Sequence, residues 1–206
     1  MAQILKQELY DRLLDAAEAV FAELGFAGAS MARIAERAGV STGNIYRYFD
    51  SKEALYEAVV SDEFRRTFFH LLRRRLSSLL ESPQPTALND EARQRADDLL
   101  RYWIQHRRKV VILLDRAEGS RDADVGRAFV DELVAQTSKK LCLQSNRRSL
   151  CATDLLVLQL IFQNTRRSLV AILERFSDES EIREAVAAFW SYQLAGLAGF
   201  AKKVES

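Results

Sequence analysis

Apolar side chains recur at three- and four-residue intervals along nearly the whole chain, the signature of amphipathic helices. Leu9, Leu13, Ala16, Ala17, Val20, Phe21 and Leu24 predict a first helix over about 6–24. Gly25 ends it, because glycine accepts the left-handed conformation at a helix C-terminus, and Phe26 can fold back onto the last turn. Ser30 caps a second helix over about 31–38, with Ile34, Ala35 and Ala38 as its apolar face. Gly39 makes a turn and Val40 fills the angle. Ser41 caps a third helix over about 42–48, with Ile45 and Phe49 turned inward. Asp50 or Ser51 caps a fourth, whose early Glu53 and Glu57 suit the positive end of the helix dipole. It continues to about residue 80, either unbroken or with a break near Ser61, until Ser82–Pro85 stops it.

Beyond that punctuation the same periodicity predicts helices over about 90–105, 108–118, 122–143, 153–175 and 178–203, and no strand pattern competes. Leu155, Leu158, Phe162, Leu169 and Leu173 line the penultimate helix. Val186, Phe189, Trp190, Leu194, Leu197 and Phe200 line the last. Helices apolar around so much of their circumference must contact more than their own core, which points to a dimer interface at Leu158, Phe162, Leu169, Trp190, Leu194 and Leu197. Ala188, Ala195, Gly196, Ala198 and Gly199 are small enough for close helix approach. The expected fold is therefore all-α: a three-helix N-terminal head over 1–55 on a larger helical body over 56–206, pairing through the last two helices.

The 206 residues suffice for a substantial core without metals or disulfides. With 48% hydrophobic residues and two prolines, a disordered or collagen-like chain is excluded. Thirty basic residues against twenty-nine acidic leave no bulk charge to attract nucleic acid, and the first 55 residues carry no basic excess either. A nucleic-acid partner would have to be met by individually placed donors. Cys142 and Cys151 lack the spacing of a zinc or redox site, and His70 and His106 are far apart, so no metal or cofactor is expected. Charges throughout the first twenty residues break any signal-peptide core, and a cytoplasmic location is expected.

Residues 30–55 carry the chemistry. Two short helices around a tight turn form a helix-turn-helix, in which the N-terminal residues of the second helix enter the major groove. Thr42, Gly43 and Asn44 stand there: the amide can pair with adenine, threonine offers a hydroxyl or methyl, and glycine permits close approach. Tyr46, Arg47, Tyr48, Ser30, Arg33 and Lys52 supply donors suited to phosphate oxygens.

Here the chain resembles the TetR family of transcriptional regulators, through IAERAGVSTGNIYRYFDSKEAL together with the preceding helix and GFAGAS. The resemblance covers roughly the first sixty residues; the body is similar only in helical layout. It implies a homodimer whose heads bind the halves of a palindromic DNA operator, most often as a repressor, with a small-molecule effector in the body changing the spacing of the heads. The family's DNA contacts carry over to Thr42, Gly43, Asn44, Tyr46, Tyr48 and Lys52, and by extension to Ser30, Arg33, Ser41 and Arg47. Thr42 stands where many family members have lysine or arginine.

In the body, helical spacing offers Trp103, His106, Phe129, Phe162, Asn164 and Arg166 as linings of an effector cavity. No nucleophile elbow, phosphate loop or paired-His motif is present, so no enzymatic activity is expected. The uncharged stretch from Ala185 to Ala201 reads as a buried helix. An alternative makes it the anchor of a membrane-associated or adaptor protein whose head packs on another protein.

Overall fold

The computed structural model describes residues 2–81 and 90–205, and the predicted stop at Ser82–Pro85 lies outside them. The described residues form ten helices and no strand. They are α1 Ala2–Gly28, α2 Met31–Arg37, α3 Thr42–Ile45, α4 Lys52–Val59, α5 Asp62–Glu81, α6 Asp90–Gln105, α7 Arg107–Asp115, α8 Val125–Ser145, α9 Ala152–Arg175 and α10 Glu179–Glu205. The helical reading holds throughout. The break near Ser61 is real: α4 ends at Val59, and the Ser61 hydroxyl accepts the Phe64 amide at 3.2 Å to start α5.

The chain divides into two compact units, with a boundary inside α5. The first takes residues up to Arg66 together with Arg108–Val125; the second takes Thr67–Arg107 and everything from Gly126 onward. Segment 108–125 thus packs in the unit that holds the head.

In the first unit, Leu13, Ala17 and Phe21 of α1, Ile34 of α2, Ile45 of α3 and Leu55 of α4 are fully enclosed. Phe26 is the corner piece. Gly25 leaves the helical path at φ 71°, so Phe26 turns back and meets Phe21 at 5.9 Å and Tyr56 at 5.2 Å between ring centroids. Its amide donates to the Arg116 carbonyl at 2.8 Å, which fastens the α1–α2 corner to segment 108–125. An ion pair does the same for α5: Arg65 donates to Asp122 at 2.7 Å and to the Val60 carbonyl at 2.6 Å, and also pairs with Asp62. Tyr56 lies beside this network, and burial pushes its phenol well above its usual pKa.

In the second unit the core is aromatic at one place, with Phe68 stacked on Trp103 at 6.0 Å and Phe129 at 6.3 Å from both. Helices α9 and α10 are antiparallel: Gln193 donates to Thr165 at 2.9 Å midway along, and Lys203 near the end of α10 pairs with Asp154 near the start of α9. Arg183 ties α10 to α6 by donating to Asp97 at 2.6 Å. Their shared core holds Leu158, Phe162, Leu169, Leu173, Ile182 and Val186.

Within the single chain the last helix is buried on one side only. Ala187, Ala188, Ser191, Tyr192, Ala195, Gly196, Ala198 and Gly199 are exposed along one side of α10, so the helix is two-sided, with an uncharged small-residue outer face. Among the described residues no helix is long and apolar enough to cross a membrane.

Candidate nucleic-acid interface

The turn between α2 and α3 is built by backbone bonds that the sequence permits at only one place. The Gly39 amide donates to Glu36 and the Val40 amide to Ala35, each at 3.0 Å, and Gly39 sits at φ 66°, where a side chain would be strained. Ser30 caps α2 through the Arg33 amide at 3.3 Å, and Ser51 caps α4 through the Ala54 amide at 3.0 Å. Ser41 stands at the start of α3 in extended conformation but makes no side-chain cap bond, which leaves its hydroxyl available.

Helix α3 is a single turn. The chain then tightens, with Arg47 donating to Asn44 at 3.2 Å and Tyr48 to Ile45 at 3.0 Å, so that the helical path continues as turns to Tyr48. Ile45 and Phe49 lock this short segment down, 0% and 5% exposed. Tyr10 of α1 stacks on Phe49 at 5.3 Å and lies 6.3 Å from Tyr48, a support that periodicity along α1 did not single out.

With those two side chains inward, the polar groups face out. Ser30, Arg33, Ser41, Thr42, Gly43, Tyr46 and Arg47 are exposed; Asn44 and Tyr48 are half-buried. Tyr46, at 49% exposure, is a large aromatic held in solvent without a covering neighbour, which a residue serving only to pack would not be. A Cβ built on Gly43 would meet nothing within 4 Å, so a flat surface can approach the backbone there. Hydroxyls, the Tyr46 phenol and guanidinium groups are thus exposed along residues 30–48 with a half-buried amide and phenol among them, the donor types that read base edges and hold phosphates.

Lys52 is placed differently from the rest. Its ammonium donates to the carbonyls of Phe26 at 2.8 Å and Ala29 at 3.1 Å, and lies 4.3 Å from the centre of the Phe26 ring. Two of its three N–H groups serve the frayed carbonyls at the end of α1, where a cation is favoured. It braces the α1–α2 corner against the first turn of α4. Replacing Lys52 with alanine should lower the head's unfolding free energy by about 2 kcal/mol in a denaturant titration. The salt dependence of DNA binding should keep its slope. A slope flatter by about 0.9, with stability unchanged, would instead make Lys52 a phosphate contact.

The residues predicted for an effector cavity are only partly assembled. Trp103, Phe129 and Phe162 are buried, and the first two share the aromatic cluster with Phe68. The Trp103 indole N–H is buried with no hydrogen-bond partner. His106 is half-buried and packs on Tyr102 at 4.6 Å; Arg166 is half-buried and Asn164 is exposed. Of the predicted pairing residues, Leu158, Phe162 and Leu169 are spent on the core of their own chain, while Trp190, Leu194 and Leu197 are half-buried. The exposed apolar residues of α9 are instead Leu155, Leu156 and Leu160, at 37%, 54% and 56% exposure, and Tyr192 of α10 is 73% exposed.

Comparison with known proteins bears directly on this head. Residues 13–59 match the model of the bacterial regulatory proteins, tetR family. An uncharacterized HTH-type transcriptional regulator of Mycobacterium tuberculosis is 52% identical over 56 residues, 27% of this chain and 28% of that protein. The HTH-type transcriptional regulator UidR of Escherichia coli K12 is 42% identical over 55 residues, 27% of this chain and 28% of that protein. The HTH-type transcriptional regulator BetI of Paraburkholderia phytofirmans is 30% identical over 97 residues, 45% of this chain and 50% of that protein. The chain thus spans between 28% and 50% of the length of these curated relatives. In fold the likeness runs further. A TetR-like transcriptional regulator from Rhodococcus sp. RHA1 aligns with a TM-score of 0.55 and 23% identity, over 93% of this chain and 96% of its own. A TetR family regulator from Chloroflexus aurantiacus J-10-FL aligns at 0.52 and 19% identity, over 97% and 92%. The sequence of the head is thus similar to the bacterial regulatory proteins of the tetR family, and the fold of the described chain is that of solved TetR-like regulators.

Proposed function

We propose that this protein is a cytoplasmic, DNA-binding transcriptional regulator that works as a homodimer on a palindromic operator, most simply as a repressor released by a small-molecule effector. It performs no chemistry of its own. Residues 1–55 form the DNA-binding part and 56–206 the part that pairs and takes the effector. The observation that carries the reading is the surface of α3: Thr42, Gly43, Asn44, Tyr46 and Arg47 turned outward over buried Ile45 and Phe49. Thr42, Gly43 and Asn44 approach base edges, while Ser30, Arg33, Ser41, Tyr46, Arg47 and Tyr48 position the helix on phosphates. Lys52 acts from behind by bracing the corner.

Pairing runs through the outer face of α9 and α10. Leu156, Leu160 and Tyr192 are large apolar groups in water, and the adjoining alanines and glycines let a second copy come close. The effector would be drawn to the aromatic cluster, where the unpaired Trp103 N–H offers a donor to a ligand acceptor. By favouring one dimer shape, the effector would move the heads out of register with half-sites about 34 Å apart. A membrane-anchored alternative draws no support from α10, whose outer face is made of small and polar residues.

Selection of bound fragments from the source genome tests this reading. A two-fold symmetric site protected from nuclease is expected. A protein that enriches no fragment over random duplex at physiological salt is not a regulator of this kind.

A further inference from the structure

Between α8 and α9 the chain forms an open groove of about 570 Å³, within the range of small-molecule sites. Its charged lining is of one sign. Lys139, Arg147 and Arg148 border it and no carboxylate does, in a chain with almost as many acids as bases. Among the described residues neither Lys139 nor Arg148 enters an ion pair. The nearby Asp154, which Arg147 influences electrostatically, already accepts hydrogen bonds from Lys203 and from the Cys151 thiol. It is not free to neutralise the groove.

The rest of the lining is mixed, with Ser138, Cys142, Asn146 and Ser149 among its residues. Leu143, Leu150 and Leu155 also border the groove; Leu143 is 73% exposed and Leu155 37%, so apolar area lies open directly beside the cations. Cations with no carboxylate on the groove's lining, beside exposed leucines, call for one ligand with a carboxylate head and an apolar tail. The guanidinium groups suit a carboxylate's paired oxygens, and an alkyl tail would cover the leucines.

We propose that this groove binds an alkyl-chain carboxylate, its head held by Arg147, Arg148 and Lys139 and its tail laid along Leu143, Leu150 and Leu155. The site is separate from the Trp103 cluster and does not depend on the DNA-binding reading.

Calorimetric titration of the full chain with decanoate, below its micelle concentration, tests the proposal against decanol, acetate and decyltrimethylammonium. Saturable binding of decanoate is expected, at least tenfold tighter than decanol or acetate, with none for the cationic amphiphile. The double variant Arg147→Ala/Arg148→Ala should weaken decanoate at least tenfold while its melting curve stays unchanged, both side chains being exposed. Leu143→Ser should weaken it as well, as a second variant on the apolar side. Equal affinity for decanol, no saturable binding, or full affinity in the double variant would each overturn the proposal. Loss of decanoate binding in Trp103→Ala with the double variant unaffected would move the ligand to the aromatic cluster and likewise overturn it. Binding of the double variant to operator DNA without decanoate should match the parent, which separates this outcome from any failure of the regulator reading.

Discussion

If the protein pairs through the outer face of α10 as proposed, Gly196→Arg should give a monomer that keeps its fold and loses affinity for its operator. A Cβ at Gly196 meets nothing within 4 Å in the single chain, and arginine has the higher helix propensity, so α10 itself gains rather than loses. The cost falls entirely on the pair. An arginine on the outer face of α10, beside exposed Ala195, Ala198, Gly199 and Tyr192, would hold two copies apart and bury a charge without a partner. Because two linked heads gain roughly 10²–10⁴ in affinity over one, operator binding should fall at least about 100-fold. Light scattering and an operator titration check both halves. A dimer that survives places the interface elsewhere, and a monomer with undiminished operator affinity removes pairing from the account. Leu160→Glu, on the facing helix and 56% exposed, should behave alike.

The second large effect is expected at Asp122. This carboxylate is 4% exposed and meets the Arg65 guanidinium at 2.7 Å. Asp122→Ala leaves Arg65 enclosed with two of its three partners, Asp62 and the Val60 carbonyl. Breaking a buried pair costs about 3–5 kcal/mol, and the remaining partners put this case near the lower end. For a chain of this size that is a drop of roughly 6–12 °C in Tm. Asp122→Asn keeps the volume and one acceptor, so it should lose less. Equal stability of parent and alanine variant would mean that segment 108–125 contributes little to the unit that contains the head.

Local chemistry explains what could be read from the sequence. Ser30 and Ser51 cap as their types predict, Gly25 and Gly39 take the positive φ that glycine tolerates, and Ile45 and Phe49 point inward as their spacing requires. Such features depend on neighbours within four residues. Contacts over longer separations were not legible. Lys52 reaches 26 residues back to Phe26, and nothing in its position distinguishes an ammonium aimed at phosphate from one aimed at a carbonyl. Arg65 and Asp122 are 57 apart, so the inclusion of segment 108–125 with the head had no local signal.

The face of α9 was ambiguous for another reason. Leucines occupy both sides of the helix, and periodicity cannot say which stripe is the core. Leu158, Phe162 and Leu169 are buried, which leaves Leu156 and Leu160 exposed for the proposed pairing. Trp103 and Phe129 were found together because aromatics this large are seldom left in water, whereas polar Asn164 sits at the surface.

The central claim is that the outward face of α3 reads base edges, and Asn44 is the residue on which it turns. Parent and Asn44→Ala should be titrated against the selected operator and a random duplex of equal length over a range of salt. The expected result is a loss of about 1–3 kcal/mol on operator alone, with random-duplex affinity and salt slope unchanged. Equal affinity of both proteins for operator, or an equal loss on both duplexes, would contradict the account.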